Sequence, residues 1–252
     1  MAGTTAWKTL IVALALTFPV WSQEDEKKKE EEAKARIVEF KKELKGAKTD
    51  TDVAKAIEKL GELQHPKIVA ELKIFLGKSL EMASAAGEQL GKYKKDRDAA
   101  EALMNSAGAR KDKEGIVKCL RYAGDTTFKG IAPKLIGYFK HRDVDVAKEA
   151  IDSLAKIKTA PSIDPLINLW RELDGIRDDQ KDSGGLGGGL GGGIGGAGGV
   201  GVGNSVQEEQ LRRKGDLTGA VESALSKITG ESFKNAKEAA EWWRRAKGAF
   251  KD

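Results

Sequence analysis

Apolar residues recur at helical spacing through the middle of the chain. Val53 and Ile57 begin one such face, and Ala147, Ile151 and Leu154 form another. Recurrence at three- and four-residue intervals predicts amphipathic helices, each with one buried face. No stretch alternates apolar and polar residues with β-branched enrichment, so the pattern predicts an all-α protein.

A proline follows several of these helices after a short break. Pro66, Pro133 and Pro165 each precede a further apolar run at helical spacing. Proline suits the first turn of a helix, where its missing N–H costs nothing. The three prolines are therefore predicted to open the inner helix of successive pairs, with Asp164 capping the helix at Pro165.

The middle of the chain also repeats itself. Residues 131–136 match residues 163–167 at an offset of about 32, which lies within the period of helical-pair solenoids. Residues 80–107 fit the same scheme as a degenerate, small-residue pair. The fold class predicted is an all-α solenoid of about four to five stacked antiparallel helix pairs, right-handed and with a concave surface.

Residues 141–154 carry a family resemblance. Asp143 and Val144, followed by Lys148, Ala150 and Leu154, resemble the first-helix pattern of HEAT repeats, with lysine where the family most often has arginine. The resemblance covers residues 50–173 and implies a curved stack that binds proteins and carries no activity. Residues 224–230 with Phe233 and the tryptophan pair resemble the closing unit of secreted bacterial HEAT-like proteins, which implies a C-terminal cap.

The first 22 residues are typical of an export signal. Lys8 precedes an apolar run over residues 10–18, which Pro19 and then acidic residues end. The run is shorter than the roughly 20 apolar residues that a membrane span needs. A cleaved signal peptide at 1–22 is predicted, with an uncleaved N-terminal anchor as the alternative.

Four further segments complete the predicted domain organisation. Residues 23–45 form a charged helix, supported by pairs such as Glu30 and Lys34 and docked through Ile37, Phe40 and Leu44. The HEAT-like array then occupies residues 46–181. Glycine dominates residues 182–206, which predicts a flexible linker. Residues 207–252 form a C-terminal helical pair, with Leu217 and Val221 on one buried face and Gly230 as a C-cap.

Charge and composition narrow the choice of partners. The chain holds 44 Lys+Arg against 39 Asp+Glu, a net charge of +5, and acidic residues interleave with the basic ones. This balance does not favour nucleic acid, and a polyanion binder is a less favoured alternative. The basic clusters are Lys92, Lys94, Lys95 and Arg97; Arg110, Lys111 and Lys113; Arg212, Arg213 and Lys214; Arg244, Arg245 and Lys247.

No residue set predicts catalysis. His65 and His141 are the two histidines and fall in predicted turns, while Cys119 fits a buried apolar position. The His141-Arg142-Asp143 string lacks the asparagine that a kinase catalytic loop needs, and the glycine-rich strings from Gly187 follow no strand. We therefore expect no catalytic, cofactor-binding or metal-ligating residue, and the sequence identifies no binding residue.

The function predicted is that of a non-catalytic scaffold, secreted or periplasmic, that holds a protein or peptide on its helical-repeat surface. The mature chain is expected to be a monomer without a stable membrane span. An envelope-associated structural protein, self-associating through its glycine tract or charged helix, is the alternative. A polyanion binder and an accessory subunit of an enzyme are less favoured.

Overall fold

The computed structural model describes residues 21–176 and 202–250, and every regular element within these ranges is helical. This confirms the all-α prediction. The predicted signal peptide lies almost wholly outside the described residues, as does most of the predicted linker. The α-helices are α1 (Trp21–Gly46), α2 (Asp50–Leu60), α3 (Pro66–Lys73), α4 (Leu80–Gly91), α5 (Arg97–Ala109), α6 (Lys113–Asp125), α7 (Ala132–Gly137), α8 (Val144–Ile157), α9 (Ile163–Asp174), α10 (Val202–Thr229) and α11 (Ala236–Ala246).

The three prolines open helices, as predicted. Pro66 is the first residue of α3, Pro133 the second of α7 and Pro165 the third of α9. The predicted capping role of Asp164 is wrong. Asp164 lies inside the first turn of α9, and its carboxylate pairs with Lys247 Nζ of α11 at 2.7 Å. Asp164 therefore bonds to a residue 83 positions away in sequence and does not cap the backbone at the start of its own helix.

Short polar side chains begin most of the other helices. Thr49 and Asp52 form a reciprocal capping box at α2. The side chains of Asp96, Asp112 and Asp143 accept backbone N–H bonds at the starts of α5, α6 and α8. These bonds satisfy amides that have no partner inside the helix, so the sequence fixes where each helix starts.

The helices pack in two rows. The even-numbered helices form one row, in which α2 contacts α4, α4 contacts α6, α6 contacts α8, and α8 contacts α10. The odd-numbered helices lie against this row, and α3 contacts α5 while α9 contacts α11. Helix α1 packs on α2 and α3 at the N-terminal end.

Ion pairs show that α6 and α8 run in the same direction. Lys113 at the start of α6 pairs with Asp145 at the start of α8 at 2.7 Å, and Lys156 near the end of α8 pairs with Asp125 at the end of α6 at 2.8 Å. Contacts of Gly61 with Gln89 and of Gly91 with Tyr122 bring the C-terminal ends of α2, α4 and α6 together in the same way. Like ends are therefore adjacent. The loops that follow the even helices share one edge of the molecule, and the loops that precede them share the opposite edge.

Glycine near the end of an even helix allows the next helix of the row to approach closely. A Cβ atom added at Gly124 of α6 would lie 2.6 Å from Ser153 Cβ and 2.8 Å from Ser153 Cα of α8. The same relation joins α2 to α4 and α4 to α6. The three contacts are Gly61 with Gln89, Gly91 with Tyr122, and Gly124 with Ser153.

Both ends of the two rows are covered. Ala33 and Phe40 of α1 are buried, and the Phe40 ring meets the Phe75 ring edge-on at 5.7 Å between centroids. At the other end α10 buries Leu217, Val221 and Leu225, as predicted, and begins at Val202 within the range expected for the linker. Gly230 ends the helix at a φ of +79°, which confirms its predicted C-cap role. No helix in the described ranges is both long enough and apolar enough to cross a membrane.

Candidate binding surfaces

A groove opens on the odd row between the C-terminal ends of α3 and α5. It encloses about 550 Å³ and is floored by small residues, among them Gly77, Ala102 and Ala109. Because these side chains do not fill the space between the two helices, a depression remains. We call it the α3–α5 groove, and its polar lining residues are Lys73, Lys78, Asn105, Ser106, Arg110 and Asp112.

Buried hydrogen bonds fix the wall of the α3–α5 groove. Ser106 Oγ donates to the Leu76 carbonyl at 3.0 Å, and Arg110 Nη1 donates to the same carbonyl at 3.0 Å. The Arg110 side chain is only 11% exposed and also pairs with Asp112 at 2.9 Å. Arg110 is therefore held in place before any ligand arrives, which reduces the entropy lost on binding.

The cations of the α3–α5 groove outnumber its carboxylates. Lys73 pairs with Asp98 at 3.6 Å, whereas the Lys78 ammonium has no partner in the described part of the chain. Lys134 reaches the rim and donates to Asn105 Oδ1 at 3.2 Å. The lining suits an extended chain that carries a carboxylate near Lys78.

Cys119 lies behind the groove wall and is buried, as predicted. Its Sγ atom is 3.5 Å from Ser106 Oγ. Burial raises the pKa of the thiol, so Cys119 stays protonated and is not an activated nucleophile.

The predicted cluster at residues 92–97 forms part of a larger surface. These residues follow α4, and three further lysines lie on the same edge: Lys129 after α6, Lys156 in the last turn of α8 and Lys158 after α8. We call this surface the basic edge, and it comprises Lys92, Lys94, Lys95, Arg97, Lys129, Lys156 and Lys158, all of them exposed. Lys129 and Lys158 belong to no cluster that the sequence indicates.

Three loops of this edge contain a non-glycine residue with left-handed backbone. Lys95, Thr127 and Lys158 have φ values of 57°, 55° and 53° and occupy the same place in successive loops. The left-handed region is costly for a residue with a Cβ atom and is normally taken by glycine.

The three remaining basic clusters mainly make internal contacts. The Arg213 guanidinium donates to the carbonyls of Phe139 and His141, and Lys214 Nζ donates to the Ile176 carbonyl at 2.8 Å. These bonds attach α10 to the end of the odd row. Lys113 pairs with Asp145, while Lys247 pairs with Asp164 and lies 5.8 Å from the centre of the Trp243 ring. Arg244 and Arg245 are exposed.

Both histidines lie in turns, as predicted. His65 Nδ1 accepts the Lys67 N–H at 3.2 Å, and His141 Nδ1 accepts the Asp143 N–H at 3.1 Å. In each histidine the Nδ1 atom is therefore engaged by a backbone N–H of the histidine's own turn. Among the described residues, no three His, Cys, Asp or Glu side chains lie close enough to hold a metal ion.

Aromatic rings pack together at the C-terminal end. Trp243 is 4% exposed and Trp242 is half-buried. Trp242 stacks on Trp243 at 6.2 Å between centroids and also contacts Phe233 and Phe250. The cluster lies where α11 packs against α9.

Comparison with known proteins does not assign the chain to a family. No family model matches the sequence. A search of curated proteins also finds no match.

Proposed function

We propose that this protein is an exported, non-catalytic scaffold of the HEAT-like solenoid type, which binds a segment of another protein in the α3–α5 groove. One observation carries the proposal, namely the regular sequence separation of contacts between neighbouring helices. Five polar contacts that join successive units span 28 to 33 residues. They are Tyr93 with Leu63, Lys113 with Asp145, Arg121 with Glu149, Ser153 with Leu120, and Lys156 with Asp125.

A constant separation of about 30 residues is typical of arrays in which each helix pair contacts only its neighbours. The contacts between Gly61 and Gln89, Gly91 and Tyr122, and Gly124 and Ser153 have the same periodicity. In this proposal α1 and the α10–α11 pair are the caps that such an array requires. The glycine-rich segment joins the C-terminal cap to the rest.

The α3–α5 groove is the favoured binding position because its volume is unfilled and the Arg110 guanidinium is held in place before binding. Arg110 is held by the Leu76 carbonyl and Asp112, and Lys78 lies at the rim. An extended segment with an acidic side chain would gain a charge-assisted hydrogen bond there. No covalent step is involved.

Site-specific photo-crosslinking tests the groove. A photoreactive amino acid at Asn105, exposed on α5 and lining the groove, should give a discrete adduct in cells. The same amino acid at Asn168, exposed on α9 outside the groove, is the matched control and should give none. Filling the groove with Ala102→Trp should abolish the Asn105 adduct. If Asn105 and Asn168 give the same adducts, the groove is not the binding site.

Export has a separate test. N-terminal sequencing of protein recovered from the medium or periplasm should begin just after Ser22, at the end of the predicted signal. Recovery of the intact N-terminus in the membrane fraction would favour the anchored alternative. This outcome would leave the crosslinking result unaffected.

A further inference from the structure

The basic edge contains cations that the fold does not use. The ammonium groups of Lys95, Lys129 and Lys158 have no hydrogen-bond or ion-pair partner in the described ranges. In contrast, Lys156 pairs with Asp125 at 2.8 Å, and Arg97 pairs with Glu101 at 2.8 Å. The three unpaired lysines therefore contribute charge that is available to a ligand.

The direction of the even helices places these lysines along one line. Lys95 follows α4, Lys129 follows α6 and Lys158 follows α8, and these helices are successive members of the even row. Neighbouring packed helices lie about 8–10 Å apart, so each step along the row brings in one more unpaired lysine. The three unpaired lysines therefore lie in successive loops along one edge of the molecule and do not line a pocket.

Two of the loops retain lysine where glycine would relieve backbone strain. Lys95 and Lys158 both adopt the left-handed conformation. Non-glycine residues in this conformation persist where the surrounding structure holds them, and they occur more often at functional sites. The observation points to a role for the side chains themselves.

We propose that the basic edge adsorbs to a phospholipid surface that carries anionic headgroups. Lysine is a compact point charge on a flexible stem, which suits mobile headgroups better than a fixed bidentate partner. Single-stranded nucleic acid would require exposed rings for stacking. Tyr93, the aromatic residue of the 92–97 cluster, is 7% exposed, and its hydroxyl is bonded to the Leu63 carbonyl.

The opposite edge carries more carboxylates. Arg110 pairs there with Asp112 and Lys113 with Asp145. The exposed Asp50 and Glu81 lie at the starts of α2 and α4, where they offset Lys78 and Lys111, which are unpaired within the described residues. The molecule would therefore lie with the basic edge on the lipid. This orientation leaves the α3–α5 groove, near the other ends of the odd helices, away from the membrane.

Co-sedimentation of the full chain with vesicles tests the proposal. The full chain should bind vesicles of phosphatidylcholine containing about one third phosphatidylglycerol better than pure phosphatidylcholine, and salt should weaken this binding. The triple variant Lys95→Glu, Lys129→Glu, Lys158→Glu should bind the anionic vesicles at least roughly 100-fold less well, since each surface lysine contributes about five-fold. Circular dichroism checks that it is folded, and the same three positions changed to Gln should give a smaller loss.

A matched control carries Lys48→Glu, Lys111→Glu and Lys140→Glu on the opposite edge. This control has the same net charge and the same N-terminal segment as the first variant. Because it keeps Lys95, Lys129 and Lys158, it should lose much less vesicle binding. An equal loss in the two triple variants would overturn the proposal. So would binding that is no stronger on anionic than on neutral vesicles. Retention on heparin or DNA without binding to anionic vesicles would assign the edge to a polyanion instead.

Discussion

At the scale of single residues, Gly124 marks the closest approach between two helices of the even row. An added Cβ atom would meet both Cβ and backbone Cα of Ser153, which cannot rotate away. Gly124→Ala should therefore force α6 and α8 apart and lower the free energy of unfolding by about 1–3 kcal/mol. Chemical denaturation followed by circular dichroism measures the change.

Gly219→Ala is the matched control for this substitution. Gly219 lies inside α10, is exposed, and has no atom within 4 Å of the position of an added Cβ. Alanine should stabilise that helix by up to about 1 kcal/mol, because glycine is a poor helix former. If Gly124→Ala behaves like Gly219→Ala, close helix contact at Gly124 is not a feature of the protein in solution.

Lys158 provides a second prediction at the residue scale. Its φ of 53° is costly for lysine and free of strain for glycine. Lys158→Gly should raise the free energy of unfolding by about 0.5–1 kcal/mol, whereas Lys158→Ala, which retains the Cβ atom, should give no such gain. Thermal melts of the two variants separate the outcomes. Equal melting temperatures would show that the left-handed conformation is not strained here.

At the scale of elements, α1 is attached by a short apolar stripe and by several ion pairs. Within residues 25–46, Ala33 and Phe40 are the fully buried hydrophobic residues, and Ile37 and Leu44 are partly buried against the core, as predicted. The ion pairs to α2, α3 and the turn between them are Glu30 with Lys67, Arg36 with Glu62, Glu39 and Glu43 with Lys59, and Lys41 with Glu71. Each exposed pair contributes little alone and is weakened by salt. The attachment of α1 should therefore be the part of the fold most sensitive to salt and acid.

The acid sensitivity has a defined direction. Hydrogen bonds from Lys67 and Lys34 lower the pKa of Glu30 from 4.5 to about 2. A carboxyl whose pKa is lower in the folded state stabilises that state above its unfolded pKa, and the stabilisation is lost as the pH falls through the folded pKa. Hydrogen exchange of α1 amides should thus accelerate relative to α8 between pH 4.5 and about 2.

Glu30→Gln should remove part of this pH dependence in α1, because Lys59 also lowers the pKa of Glu39. Glu31→Gln is the control, because Glu31 makes no ion pair within the described residues. If both substitutions have the same effect on exchange in α1, the pair between Glu30 and Lys67 does not hold the helix.

The individual helices could be predicted from sequence because each depends on local features. Apolar spacing, capping aspartates such as Asp143, and prolines such as Pro133 act within a few residues of the helix they define. The contacts between helices were not predictable in the same way. An amphipathic face shows that a helix is buried but not which helix it meets, and Asp164 was mistaken for a cap because its partner Lys247 is remote.

The candidate surfaces, too, could be predicted only where their residues are close together in sequence. The cluster around Lys95 was visible because its cations are adjacent in sequence. Lys129 and Lys158 join it only because α4, α6 and α8 run in parallel. The α3–α5 groove was missed, since an unfilled space above Ala102 and Gly77 leaves no sequence pattern. Isolated glycines within helical patterns, such as Gly124, were the available signal for close packing between helices.

At the scale of the whole molecule, the C-terminal pair is attached by contacts remote in sequence. Helix α10 packs on α8 and α9, and α11 packs on α9. Leu217, Val221 and Leu225 are fully buried, and Arg213 donates to carbonyls of the turn before α8. This apolar interface should hold the pair in place without help from the covalent connection.

Cutting the chain within residues 182–201 tests this expectation. The covalent connection raises the effective concentration of the C-terminal pair at the interface. Once the connection is cut, only the intrinsic affinity of the interface holds the pair in place. With three large apolar side chains and the Arg213 bonds intact, the two pieces should still elute together from a sizing column after cleavage at an engineered protease site. The variant Leu217→Glu with Val221→Glu buries unpaired charge at the interface, so its pieces should separate after cleavage. Separation of the unmodified pieces would show that α10 and α11 depend on the connection for their position, and they would then not be the cap of a continuous array.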